Sequence, residues 1–141
     1  MPITYIALFF TVVSLVTTAY FIMGGIPLLI LAHDTPLDGR FIGRFFEIYY
    51  SAALVGSVGA GLSFAFAGRI AFAMGSGLIA GAVLLLRRFI IRAMKRLGEA
   101  IQAHDPGAIS GFRKVHAIAL LFSLVQLIVI VWGILQVSSW N

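Results

Sequence analysis

Four long hydrophobic stretches constrain this chain more than any other feature of its sequence. They cover about residues 5–30, 48–67, 70–90 and 113–136. Each is close to the roughly 20 apolar residues that carry a helix across about 30 Å of hydrocarbon. Hydrophobic residues make up 61% of the chain and charged residues 11%, and a soluble fold of this size could not hide so much apolar surface. The sequence therefore predicts one all-α domain, an integral membrane four-helix bundle with up-down-up-down topology.

The positions of the cations predict how the bundle is oriented. Arg40 and Arg44 follow the first stretch, seven more cations lie between residues 87 and 114, and only Arg69 belongs to the other side. The positive-inside rule then places both termini outside and a basic hairpin, about residues 87–114, in the cytoplasm of a bacterium, across its inner membrane. We interpret the basic cluster as binding anionic lipid headgroups rather than nucleic acid. It comprises Arg87, Arg88, Arg92, Lys95, Arg96, Arg113 and Lys114.

Local signals predict where individual helices begin and end. Pro27 removes a backbone donor near the end of the first stretch, which predicts a kink or an early helix end there. Either Thr35 or Asp38 could cap the second helix. Asp105 followed by Pro106 predicts the start of the fourth helix, which is expected to run to about Gln136. The third helix has no breaker after the membrane and is expected to project beyond it, as far as about residue 104.

Aromatic residues with a polar edge are expected at the two membrane surfaces. Tyr49 and Tyr50 lie near the predicted cytoplasmic surface, and Trp132 and Trp140 near the opposite one. Rings of this kind are enriched at headgroup depth.

Small residues recur at every fourth position in the second and third stretches, which are joined at a tight turn around Gly68. Such residues let two helix backbones approach closely inside a membrane. We therefore predict that these two helices form a tightly packed antiparallel hairpin, although the same surface could serve a neighbouring subunit. The residues are Ala52, Gly56 and Ala60, with Ser57 and Gly61 beside them, and Ala73, Gly77 and Gly81.

The fourth stretch carries a narrow polar stripe on an otherwise aliphatic helix. At about 100° per residue, His116, Ala119, Ser123 and Gln126 lie on one side. Lipid offers no partner for an imidazole or an amide, so this side is expected to face the bundle. His116 could be a metal or haem ligand, a proton relay, a contact to a polar substrate, or a structural histidine.

Glu47 is the predicted partner of His116, because both lie just inside the cytoplasmic boundary. Together with Tyr50, Ser123 and Gln126 they form the predicted polar cluster. Bis-histidine haem ligation by His116 and His104 is disfavoured, because the two lie at different levels. The chain contains no cysteine, which excludes thiolate metal sites and disulfides. No catalytic motif is present, and neither a cofactor nor a bound metal is expected.

Three short motifs resemble the bacterial domain-of-unknown-function family 4149, whose relatives include the eukaryotic transmembrane protein 205. They are the stretches 39–50, GRFIGRFFEIYY, at the entry of the second span, 86–89, LRRF, at the exit of the third, and 112–116, FRKVH, at the start of the fourth. Ser123 or Gln126 stands where that family often has Asn, and Glu47-Ile48 stands where it usually has Pro. The resemblance implies a four-helix integral membrane protein without an agreed biochemical activity.

Three functions are compatible with these features. The first is a non-catalytic accessory or self-associating membrane protein, whose partners are the bilayer and other membrane subunits or copies of itself. The second is a small transporter or channel with a polar path past Glu47 and His116. The third is a redox subunit that holds haem or another cofactor.

Overall fold

The protein is a bundle of four long helices. A computed structural model describes residues 2–33 and 35–139. The helices are α1 (Pro2–Ile30), α2 (Pro36–Phe66), α3 (Ile70–Gln102) and α4 (Ala108–Ser138), and the described ranges contain no strand. Each helix is long and apolar enough to cross a bilayer. The predicted all-α fold of four helices is thus confirmed, and all four helices could span a membrane. Trp140 lies outside the described residues.

The helices are arranged as a ring in which each one packs against two others. α1 contacts α2 and α4, and α3 contacts the same two helices. The largest buried side chains of the core come from three helices, and they include Phe21 of α1, Phe46 and Tyr50 of α2 and Phe112 of α4. Large apolar side chains also cover the outside, as a lipid-facing surface requires.

One of the predicted helix ends is wrong, and another is confirmed. α2 begins as expected, with Pro36 after Thr35, whose Oγ1 accepts a hydrogen bond of 3.3 Å from the Asp38 backbone N–H. α4 begins at Ala108, not at Pro106, so the predicted start is wrong. The Asp105 carboxylate accepts a hydrogen bond from the Gly107 N–H at 3.0 Å. This hydrogen bond closes a turn over residues 105–107, and the helix begins after that turn.

Pro27 does not end α1, which continues to Ile30. Because proline lacks an N–H, one carbonyl of the preceding turn loses its hydrogen bond. The helix nevertheless extends three residues beyond Pro27. Gly68 does form the predicted tight turn: α2 ends at Phe66, α3 begins at Ile70, and Gly68 has a φ of 72°. That left-handed conformation favours glycine.

The small residues of α2 serve two different neighbours. Gly56 faces α1, where an added Cβ would overlap Ser14 Oγ. Gly61 faces α3, where an added Cβ would lie 3.6 Å from the Ala73 carbonyl oxygen and 3.7 Å from the Gly77 nitrogen. Five residues of helix rotate a side chain by about 140°, which explains the split. The predicted close hairpin of α2 and α3 is therefore built on Gly61 and not on Gly56.

Other members of the small-residue set also lie away from the predicted contact. Ala60 is buried in a cluster with Ala7 and Phe64, and Ala52 is half-buried. Gly81 is exposed, with open space where a Cβ would lie. The outward side of α3 thus presents small residues that the described part of the chain does not cover.

The basic end of the bundle has the predicted shape. α3 continues to Gln102, well past its apolar part. Arg87 is half-buried and the other six cations of the cluster are exposed, namely Arg88, Arg92, Lys95, Arg96, Arg113 and Lys114.

Candidate functional site

The polar stripe of α4 faces the interior, as the sequence predicts. His116 and Ser123 are buried at 0% and 3% exposure, and Ala119 between them is at 0%. Gln126 is half-buried one turn further along. Ser123 donates its hydroxyl to the Ala119 carbonyl at 2.9 Å, so its hydrogen bond is made within its own helix.

Gln126 connects three helices near the middle of the bundle. Tyr49 of α2 donates its hydroxyl to Gln126 Oε1 at 3.4 Å, and Gln126 Nε2 donates to Thr18 Oγ1 of α1 at 3.5 Å. Both distances exceed the usual hydrogen-bond lengths of about 2.5–3.2 Å, so these two contacts are weak. Thr18 in turn donates to the Ser14 carbonyl at 2.7 Å. This Tyr49–Gln126–Thr18 network is the polar centre of the fold.

An aromatic layer lies beside this network. The Phe21 ring stacks on Tyr49 with centroids 3.8 Å apart and meets the edge of Phe46 at 4.8 Å. Tyr50 is buried at 1% exposure, and its hydroxyl has no hydrogen-bond partner among the described residues. Both tyrosine rings pack into the core and do not face the outside of the bundle, while their depth in a membrane stays a prediction.

Two histidines meet at the end of the bundle where α1 leads into α2. The rings of His33 and His116 are perpendicular, with centroids 6.2 Å apart. Their exposures are 1% and 0%. None of their four nitrogens has a hydrogen-bond partner among the described residues. Phe46 and Phe112 form apolar walls, at 5.0 Å from the His116 ring and 5.3 Å from the His33 ring.

The backbone around His33 is held in place from α4. Arg113 donates from Nη2 to the Leu31 carbonyl at 3.1 Å. His33 itself has a φ of 61°, a left-handed conformation that is uncommon outside glycine. Burial lowers the pKa of His33 below its usual value of 6.5. The Leu31 backbone acts against this shift, and the Arg113 charge adds to it.

Glu47 does not join this group, so its predicted pairing with His116 is wrong. Its carboxylate lies 3.5 Å from the Arg44 guanidinium. Both line a groove of about 310 Å³ between the start of α2 and the end of α3, together with Arg40, Lys95 and Glu99. Glu47 is one residue past Phe46, and that rotation of about 100° turns it from the core toward α3.

A cavity of about 370 Å³ lies between all four helices near the α2–α3 turn. Most of its wall is apolar, including Phe64, Phe72 and Ile130. The hydroxyls of Thr11, Ser14, Ser57 and Ser76 and the Gln136 amide supply its polar groups. Thr11 and Ser57 donate to carbonyls of their own helices. Ser14 Oγ is buried without a hydrogen-bond partner among the described residues.

Sequence reasoning identifies part of this interior and misses the rest. His116, Ser123 and Gln126 are predicted to face it and do so. Thr18, Ser14 and His33 are not among the predicted site residues, and Tyr49 is predicted near the membrane surface. A signal exists for α1, because its buried residues Ala7, Ser14, Thr18, Phe21 and Gly25 recur every three to seven positions, which is the spacing of one helix face. No comparable signal exists for His33, whose position depends on the chain reversal.

Comparison with known proteins adds no relative. The chain matches no family model, no curated protein and no solved structure. The resemblance to family 4149 therefore stays a prediction.

Proposed function

We propose that this chain is a non-catalytic membrane protein that holds one small amphipathic molecule in the cavity between its four helices. The observation that carries the proposal is the cavity itself, an apolar space of about 370 Å³ whose wall also carries the hydroxyls of Thr11, Ser57 and Ser76 and the Gln136 amide. A small-molecule site of this kind is mostly apolar and has a few polar groups that orient the ligand.

The cavity favours a ligand with one polar end and an apolar body. Its volume of about 370 Å³ lies at the small end of the range of about 300–1,000 Å³ in which small-molecule sites fall. The apolar wall suits a short alkyl chain or a single ring, and the Ser76 hydroxyl and the Gln136 amide suit a hydroxyl or an amine. The Tyr49–Gln126–Thr18 network lies about one helical turn deeper, because Thr18 and Gln126 are each about one turn along α1 and α4 from lining residues.

The orientation belongs to the same proposal. Nine Lys and Arg lie on the side of the α1–α2 and α3–α4 connections, and Arg69 lies on the other. This bias supports an up-down-up-down arrangement in a bacterial inner membrane, with both termini outside. The cavity is then nearer the outer surface, and the basic cluster binds anionic headgroups on the cytoplasmic surface.

Two glycines of α3 allow a matched test of the cavity. Gly75 lines the cavity and Gly81 is exposed, and neither has an atom within 4 Å of an added Cβ. A Gly75→Leu side chain would therefore fill the cavity, whereas Gly81→Leu would point outward from the same helix. The probe is an n-octanol that carries a diazirine, which labels its contacts when illuminated.

In the unmodified protein we expect saturable labelling of peptides that line the cavity. Gly75→Leu should reduce that labelling at least about tenfold, which corresponds to about 1.4 kcal/mol of lost binding. Gly81→Leu should leave it unchanged. Equal labelling of all three proteins, or labelling only of the outer apolar surface, would contradict the proposal.

A second candidate function is association with another membrane subunit, or with a second copy, through the outward side of α3. This helix is the least covered: in its most apolar 18-residue stretch 11% of the residues are buried, against 44% in α2. Gly77 and Gly81 lie on that side. Crosslinking in native membranes tests it with the same two variants. Gly81→Leu should abolish a crosslinked species that Gly75→Leu preserves, and the same species in both would exclude this face.

A further inference from the structure

The buried histidine pair contains more unpaired polar atoms than any other part of the described structure. A neutral imidazole has one donor nitrogen and one acceptor nitrogen. His33 and His116 thus bring four such atoms into an apolar space, and none has a partner among the described residues. Burying polar groups in this way is costly unless something binds them, and an ion or a water is the usual explanation.

The distance between the rings suits a single metal ion. Bonds between a metal and an imidazole nitrogen are about 2.0–2.1 Å long. If one nitrogen of each ring points at the ion, two such bonds separate the ring centroids by about the distance observed here, 6.2 Å. The perpendicular planes of the two rings keep their other atoms apart in that arrangement.

The surroundings favour an ion of low charge. Phe46 and Phe112 flank the pair, and Arg113 already places a positive charge close enough to act on His33. A divalent cation would lose more hydration energy here and would be repelled more strongly. Imidazole is a good ligand for copper, and copper(I) needs only two nitrogen ligands in a line.

We propose that His33 and His116 together bind one copper(I) ion at the end of the bundle where α1 leads into α2. This site is separate from the four-helix cavity and does not depend on the ligand proposed for it. Its ligands come from α4 and from the connection after α1, so the ion would also fix that connection to the bundle. The left-handed backbone of His33 is the kind of local strain that a ligand-holding residue often carries.

The test uses the purified full-length chain in detergent, reduced and free of metal. Copper(I) is added anaerobically in competition with bathocuproine disulfonate. We expect one ion per chain in the unmodified protein. His33→Gln and His116→Gln should each weaken copper retention at least about tenfold, since even loss of an outer-shell partner has an effect of about 10–100-fold. The matched control is His104→Gln, because His104 is exposed in the α3–α4 connection; it should retain copper as the unmodified protein does.

X-ray absorption of the copper-loaded unmodified protein supplies a readout that needs no variant to fold. Two nitrogen ligands with the scattering pattern of imidazole are expected. Sulfur scattering would show that methionines bind the copper instead and would overturn the proposal. So would equal retention by all three variants, the absence of retained copper, or tighter binding of Zn²⁺ by the same two histidines.

Discussion

The contact between α1 and α2 at Gly56 offers the sharpest prediction. A methyl group placed there would overlap Ser14 Oγ, and it would lie 3.4 Å from Ser14 Cβ and 3.5 Å from the Phe10 carbonyl oxygen. Carbon atoms in contact prefer a separation of about 3.5–4.0 Å. The Ser14 hydroxyl is therefore the single obstacle to Gly56→Ala, and the backbone of α1 is not.

The magnitude follows from that geometry. If α1 and α2 must separate to admit the methyl group, overpacking should lower the free energy of unfolding by about 1–3 kcal/mol. Ser14→Ala removes an oxygen that has no partner among the described residues, so it should change stability little or raise it. In the double variant the obstructing oxygen is gone, and the new methyl group meets the β-carbon at position 14 and the Phe10 carbonyl oxygen at ordinary distances. We therefore expect the double variant to be within about 0.5 kcal/mol of the unmodified protein, and the coupling to be about 0.5–3 kcal/mol.

Reversible unfolding in mixed micelles with increasing dodecyl sulfate measures these four free energies. Gly81→Ala is the control for the change in residue type, because its methyl group would meet no atom within 4 Å. A loss for Gly56→Ala that is equally large with and without the Ser14 hydroxyl would refute the reasoning. It would mean that the helix backbones, rather than the hydroxyl, limit the approach.

Three further predictions concern the network, the histidine and the orientation. Tyr49→Phe should lower stability by about 0.6 kcal/mol and by no more than about 1.7 kcal/mol, and a larger loss in the same unfolding assay would mean that the hydroxyl does more than contact Gln126. Burial lowers the pKa of His33 from 6.5 in the folded protein, so on acidification the unfolded chain is protonated at His33 first, and the free energy of unfolding should fall as the pH drops below about 6.5. His33→Gln should remove part of this pH dependence. An unchanged pH dependence in that variant would contradict the prediction. The chain lacks cysteine, so Gly68→Cys and Ser110→Cys can be labelled singly in intact cells; an impermeant maleimide should reach Gly68→Cys alone, and the reverse result would invert the proposed orientation.

The fold can be predicted because its main determinants are local. Apolar length sets the four helices, Gly68 permits the turn between α2 and α3, and Thr35 caps α2. The predicted start of α4 is wrong because Asp105 can either cap a helix or close a turn, and both use the same carboxylate. Whether the aspartate caps a helix or closes a turn depends on the direction in which the chain continues, and the residue type does not determine that direction.

The candidate site can be predicted only where a helix has one inward face. α4 is aliphatic apart from its stripe, so the helical wheel is enough to place His116 and Gln126. α2 packs against α1 on one side and α3 on another, and its polar and aromatic residues cover both sides. Periodicity then cannot decide whether Glu47 or Tyr49 faces the centre, because the two are about 200° apart on a helix with two covered sides. The structure turns Tyr49 to Gln126 and Glu47 to the groove beside α3.

The distribution of satisfied and unsatisfied polar groups separates packing from binding in this bundle. Thr18, Ser57 and Ser123 are buried, and each donates to a carbonyl four residues earlier in its own helix. These hydroxyls need no further partner, so they are tolerated in a membrane and point to no ligand. Ser14, Tyr50 and the histidine pair lack even this local solution among the described residues. The cavity and the histidines lie at opposite ends of the interior with the aromatic layer between them. A ligand in the cavity would therefore not reach the histidines, and copper between the histidines would not fill the cavity. The two proposals require two separate ligands, and the loss of one should leave the binding of the other intact.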